Sequence, residues 1–299
     1  MSRGAKALIG ALAFFGTGIL LGLIFGSEGK NEAFKPQNEF KLDDWVDIKI
    51  AGIDLSINKA VLYLFLATVL TIGFMLYVAN RMQARPNRVQ TLVETLYTFM
   101  RDNIAGGNMD AKMAARWFSF VATLFLFIWF SNLLGYIPLP TNTEHTVNVF
   151  GAEIPSFAIY AATANLAVPL ALTLMVWIMY TVEGFRAQGF IGYFKSLIPA
   201  GVTGAAAIPI FLIELISQFV RIISLSVRLF ANILAGHLLI LFMGGGLVVL
   251  LGLAALGVFT LPLAIAFYIF EVGLVATLQA FIFATLSSIY FGGAVAAHH

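Results

Sequence analysis

The sequence predicts an all-α integral membrane protein: transmembrane helices, a cytoplasmic surface helix, and a C-terminal hairpin of two long, strongly tilted helices. Three observations carry this expectation. Of the 299 residues, 60% are hydrophobic and only 11% charged, with a mean hydropathy of +0.93; a soluble domain is about 25% charged. Several apolar runs reach the ~20 residues needed to cross the hydrocarbon as a helix, and they lack the polar alternation of barrel strands. The polar segments between them alternate in net charge, as a multi-pass topology requires. The same composition argues against other classes. A net charge of +2 suggests no nucleic-acid partner. Zero cysteines remove disulfides, thiolate metal sites and Cys nucleophiles, and leave the compartment undecided. Of the histidines 145, 237, 298 and 299, only His237 lies in an apolar segment. A membrane haem would need paired histidines at membrane depth, so no haem is expected, nor any other cofactor or metal.

The elements follow in chain order. Residues 1–27 form an N-terminal apolar segment, with its run at 7–26. MSRGAK followed by apolar residues fits a leader, whereas the length of the run and the poor cleavage site IFGSEG fit an uncleaved helix. Both remain open, and both put residues 28–59 outside. Residues 28–299 are expected to form a single membrane domain. Further runs occur at about 60–80, 117–139 and 158–182. Segment 1–6 carries Arg3 and Lys6; segment 28–59 has five Lys and seven acids; segment 81–116 has six Lys/Arg and three acids. Segment 140–157 has two acids and no base, and segment 183–195 is net +1. The positive-inside rule then places 1–6, 81–116 and 183–195 in the cytoplasm.

Residues 88–104 differ in kind. Val89, Leu92, Val93, Leu96, Met100 and Ile104 recur at helical spacing, with Gln90, Glu94, Arg101 and Asp102 on other faces. This predicts an amphipathic helix on the cytoplasmic membrane surface, or a small helical cap, stopped by Gly106 and Gly107. From about 208 to 251 the chain is almost continuously apolar, and after a turn near 252–257 a second run reaches about Tyr290. A 40-residue helix is ~60 Å long against ~30 Å of hydrocarbon, and ordinary tilt of ~20° does not absorb that excess. Either glycines 244–246 break the first run into two crossings, or both helices lie steeply tilted as a hairpin over about 205–292. The second option is preferred, because polar residues run along one long helix.

From residue 196 onward the only Asp, Glu, Lys or Arg residues are Glu214, Arg221, Arg228 and Glu271. A guanidinium in hydrocarbon costs ~3 kcal/mol on insertion scales, so such residues are functional candidates. Glu214, Ser217, Arg221, Ser224, Arg228 and Asn232 fall on one helical face, a narrow polar stripe on an apolar cylinder. Such a stripe faces water or another protein. His237 lies nine residues beyond Arg228, half a turn around the axis and ~13 Å along it; Glu214 lies ~21 Å the other way. Glu and His titrate near physiological pH when their surroundings shift them, whereas Arg keeps its proton. A fixed cation between two titratable groups would block direct proton passage and attract a partner's carboxylate. The plainer readings are a structural arginine paired with Glu214, lipid or the interface, an ion-pairing Arg221, a satisfied core His237 and a passive Glu271. Gln279, Asn132 and Asn165 fit interhelical hydrogen bonding.

The run SLSVRLFANILAGHLL, residues 224–239, resembles the Ser-Leu-x-x-Arg-Leu-Phe-x-Asn-x-x-Ala-Gly-[His/Glu] motif of subunit a of the F-type ATP synthases. FSNLLGYIP at 130–138, TANLAVPLALTL at 163–174 and LQAFIFATLSSIY at 278–290 extend the similarity over most of the chain, and the first ~50 residues carry none. The resemblance implies a stator subunit without a catalytic site of its own, in a bacterial inner (plasma) membrane, with its C-terminus cytoplasmic. It implies as partners the rotating ring of subunit c, the peripheral-stalk subunit b and the bilayer. By resemblance Arg228 is the arginine that faces the ring carboxylate and separates two half-channels. Glu214 lines the cytoplasmic half-channel, His237 and Glu271 line the outer one, and Arg221, Ser224, Asn232 and Gln279 support them. Two departures stand out. Ile222 follows Arg221 where the family often has proline. Glu271 precedes Gln279 by eight residues rather than seven, which turns a helical side chain by ~100°. Either the helix is locally irregular there, or Glu271 sits at the channel edge. Two rival functions remain: a secondary transporter, which would usually show related halves, and a non-transporting scaffold, which would not need the charged stripe.

Overall fold

The structure is a computed structural model that describes residues 16, 40–50, 53–54, 56–83, 85–142, 146–149, 152–198, 202, 206–246, 248–249 and 257–295. The choice between leader and first helix, all but the last residue of the turn near 252–257, and histidines 145, 298 and 299 lie outside those residues. Strands β1 (Lys49–Ile50) and β2 (Ile53–Asp54) pair antiparallel ahead of helix α1 (Lys59–Asn80). Helix α2 (Arg88–Phe99) passes into a π turn at Met100–Ala105, and α3 spans Ala111–Gly135. Strands β3 (Thr146–Val149) and β4 (Ala152–Pro155) form a second antiparallel pair. Helix α4 (Ala167–Gln188), the short α5 (Phe190–Ser196) and the 35-residue α6 (Ala207–Leu241) follow. A π turn at Phe242–Gly246 extends α6. Helix α7 (Gly257–Phe270) continues through a π turn, Glu271–Val275, into α8 (Ala276–Val295). Among the described residues five helices are long and apolar enough to cross a membrane, two of them of 40 and 37 residues.

Local chemistry sets the helix ends. Asn58, Asn87 and Asp110 cap α1, α2 and α3, their side chains accepting from the backbone N–H of Val61, Gln90 and Met113. Helix α4 stops at Gly189, whose φ of +73° suits glycine. Two boundaries differ from hydropathy. The run at 117–139 is helical over Ala111–Gly135, because the Asp110 cap moves the start back into polar sequence. The run at 158–182 is helical only from Ala167, because Ala162–Ala164 form a 3-10 turn packed inside the protein. The two short hairpins were not expected; four-residue or shorter strands leave no periodic signal. On α2, Gln90 rather than an apolar residue faces inward, held by its Nε2 donating to the Gln83 carbonyl and to Glu94, while Val89 and Leu92 stay exposed.

The residues divide into two compact units. The larger comprises Leu42–Ile137, Ala161–Leu234 and the chain from Val275. Its core is the packing of α3 against α1 and α8, with α8 also against α4. Helix α8 presents Ala276, Ala280, Ala284, Ser287 and Ser288 at helical spacing, small residues that let backbones approach closely. A side chain on Gly292 would collide with the Asn108 carbonyl, and one on Gly135 with Ala161. Polar side chains fix the register. Trp129 Nε1 donates to Thr277 Oγ1 at 3.0 Å, Asn132 Nδ2 to the Ala276 carbonyl at 3.4 Å, and Thr163 Oγ1 to Asn132 Oδ1 at 2.8 Å. The buried Glu183 carboxylate pairs with Arg116 at 3.3 Å and Arg186 at 3.1 Å. The smaller unit contains Pro138–Tyr160 and Ala235–Leu274, with Phe40 and Lys41. There the β3–β4 hairpin is flanked by a bridge between Leu139 and Ala158, and the π turn after α6 packs on α7.

Candidate functional site

Helix α6 is continuous from Ala207 to Leu241, through Arg221 and Ile222, so the spacing argument for the polar stripe holds along it. Burial divides the stripe. Glu214, Ser217 and Arg221 are half-buried, whereas Ser224, Arg228 and Asn232 are exposed. Arg228 has no ion pair or hydrogen bond among the described residues, and Ile216, Val220, Ile223 and Val227 beside it are exposed apolar side chains. Arg228 therefore stands between the exposed polar Ser224 and Asn232, with an exposed apolar face to one side of it. His237, half a turn further round the axis, is 0% exposed. Nine-residue spacing puts the two side chains on opposite faces of the helix. Ser226, off the stripe and buried, returns its hydroxyl to the Ile222 carbonyl at 2.8 Å and is satisfied by its own helix.

In the larger unit, Arg221 Nη2 donates to Glu214 Oε1 at 2.8 Å, and its guanidinium carbon lies 5.5 Å from the centroid of the Tyr290 ring. Gln218, one turn on from Glu214, is buried and accepts a 2.8 Å hydrogen bond from the Tyr180 hydroxyl. Close by, burial holds the Tyr193 phenol above its ordinary pKa. Gln279 is buried on α8.

In the smaller unit, Glu271 is buried and its carboxyl reaches the backbone next to His237. A side chain at Gly236 would begin 2.5 Å from Cδ and Oε2 of Glu271 and 2.7 Å from Oε1. The absence of a Cβ at Gly236 is what admits the carboxyl. The Phe40 ring stands edge-on to the His237 imidazole, centroids 6.4 Å apart. Glu271 opens the π turn Glu271–Val275. A π turn holds an i→i+5 loop and so absorbs about one extra residue. The chain is locally irregular at this point, one of the two options the spacing to Gln279 left open.

Several participants were not legible in the sequence. Tyr180 and Tyr290 come from helices distant in sequence. Gln218 sits four residues after Glu214, off the stripe, and its polarity in an apolar run was the one available signal. Gly236 lies inside the AGH motif, but only the fold shows what its missing side chain accommodates. Among the described residues no three His, Cys, Asp or Glu side chains are grouped to hold a metal ion.

The family model for the ATP synthase A chain matches residues 61–292. The chain is 36% identical over 249 residues to the ATP synthase subunit a of Rubrobacter xylanophilus, an alignment covering 82% of this chain and 87% of that protein. It is 32% identical over 270 residues to that of Hyphomonas neptunium (88% and 96% covered) and 33% identical over 267 residues to that of Brucella ovis (88% and 98%). The match reaches into every described helix that can cross a membrane and includes the stripe on α6 with the buried His237 and Glu271, and the chain belongs to the ATP synthase A chain family.

Proposed function

We propose that this multi-pass membrane protein is the proton-translocating stator of an F-type ATP synthase, working against a rotating ring of proteolipid subunits. Arg228 carries the reading: an exposed guanidinium, without an ion pair among the described residues, on an apolar helix face. That cation would be costly in lipid and is suited to a carboxylate brought by a partner. Protons enter near His237 and Glu271 from the outer side, neutralise a ring carboxylate, travel round with the ring, and leave near Glu214 toward the cytoplasm. Arg228 keeps the two paths apart, since it never gives up its proton. Ser224 and Asn232 border it on the exposed face, and Gln279 supports the outer path. Each proton that crosses supplies ~2.3 kcal/mol per 100 mV of membrane potential. The chain makes no ATP by itself; it sits in the membrane with subunit c and the peripheral-stalk subunit b, its two longest helices steeply tilted, its surface helix α2 and its C-terminus on the cytoplasmic side. In membrane vesicles carrying Arg228→Ala in the whole complex, proton-driven ATP synthesis should fall to background while all subunits still copurify. Synthesis at the normal rate would refute the role.

A further inference from the structure

Arg221 is a second guanidinium on the same stripe, two turns from Arg228, and it is held quite differently. Glu214 and Arg221 are seven residues apart, ~10.5 Å along the axis. That is about twice the reach at which helix neighbours meet of their own accord. The 2.8 Å pair therefore requires the arginine to run back along α6 toward the N-terminus. Long side chains lean that way, but a free arginine has many other rotamers. Some of them would bring it toward the exposed face where Arg228 stands, and two cations would then compete for one partner carboxylate.

The larger unit supplies a restraint. The Tyr290 ring of α8 lies under the guanidinium at 5.5 Å. The Tyr180 ring of α4 lies 5.7 Å from Tyr290, and both tyrosines line one small cavity with Arg221. The Tyr180 hydroxyl is itself anchored on Gln218, between Glu214 and Arg221 in sequence. A cation over an aromatic face is attracted without being neutralised, so the pair with Glu214 survives the contact. We propose that Tyr290, braced by Tyr180, is a positioning residue that holds Arg221 on Glu214. It thereby orients the Glu214 carboxylate and keeps Arg221 away from Arg228. This inference rests on the reading that Glu214 lies on the proton path.

The test is proton pumping by the whole complex in vesicles, measured against pH on the cytoplasmic side, for Glu214→Gln, Arg221→Gln, Tyr290→Leu, Tyr290→Phe and the double variant Arg221→Gln/Tyr290→Leu. Tyr290→Leu should slow pumping several-fold and move the pH profile in the same direction as Arg221→Gln. Tyr290→Phe, which keeps the ring face, should stay within about twofold of the parent. In the Arg221→Gln background the leucine substitution should add nothing, because the group it acts through is gone. Assembly is followed by copurification; if the leucine variant does not assemble, Tyr290→Met fills a similar volume and is read instead. An unchanged rate and pH profile in the leucine or methionine variant, with Glu214→Gln impaired, overturns the clamp and leaves the proton path standing. So does an equal loss in the Arg221→Gln background, which would mark Tyr290 as packing alone. Normal pumping by Glu214→Gln would instead remove the reading beneath it.

Discussion

Gly236 shows how much a single missing atom controls. The Glu271 carboxyl occupies the space where a Cβ at position 236 would project. Gly236→Ala must displace that carboxyl, because a contact of 2.5 Å is far inside van der Waals distance. Proton flux in vesicles should drop at least tenfold in this variant, with the complex still assembled. Shortening the acid in the same chain, Gly236→Ala/Glu271→Asp, should recover part of the flux, since the carboxylate is withdrawn by one methylene. Identical flux in Gly236→Ala and the parent would show that the close approach has no bearing on transport. A purely structural residue gives another expectation at this scale. Asn132→Leu removes the acceptor of Thr163 and the donor to Ala276. Hydrogen bonds between membrane helices are worth ~0.6 kcal/mol each on average and up to ~1.7. Thermal melting of the detergent-solubilised complex should therefore shift down by a few degrees, without a change in the pH dependence of transport.

At the scale of elements, the π turn Glu271–Val275 carries the clearest expectation. Deleting Gly273 should convert it into ordinary α-helix and leave the residues on either side in register. Transport and assembly should survive that deletion. Deleting Leu286 from the regular α8 should abolish both, because every side chain beyond it rotates by ~100°. Retention of transport in both deletions, or its loss in both, would contradict the account of the turn. This element also marks the limit of what was legible beforehand. The surplus residue between Glu271 and Gln279 was visible by counting, but whether a helix absorbs it in a turn or rotates a side chain away depends on packing on both sides. The stripe on α6 was legible because 3.6-residue periodicity converts spacing directly into faces. The partition of that stripe into half-buried Glu214 and Arg221 and exposed Arg228 was not, because α4 and α8 decide it. The late start of α4 escaped hydropathy for a related reason: Ala161–Ala164 are buried in a mostly apolar stretch, and nothing in its composition separates a packed turn from a crossing helix.

At the scale of the whole molecule, the exposed face of α6 is the surface that the proposed ring of proteolipids would cover. It presents Arg228 with an exposed apolar row, Ile216, Val220, Ile223 and Val227, to one side. With no native cysteine in the chain, Val227→Cys should crosslink to a single cysteine placed beside the carboxylate of a ring proteolipid. Ile178→Cys, on α4, should not. The fold class, the long C-terminal helices and the family followed from composition, length and four motif-like stretches; the exposure of Arg228 followed only from packing. The central claim is that Arg228 is a barrier between two proton paths rather than a carrier of protons. Passive proton conductance through the membrane sector, after removal of the catalytic sector, tests it most directly. In Arg228→Ala vesicles the account predicts conductance equal to or above the parent's, alongside lost ATP synthesis, because the paths then communicate. Conductance abolished together with synthesis, in a fully assembled complex, would mean that the arginine carries the proton path rather than dividing it.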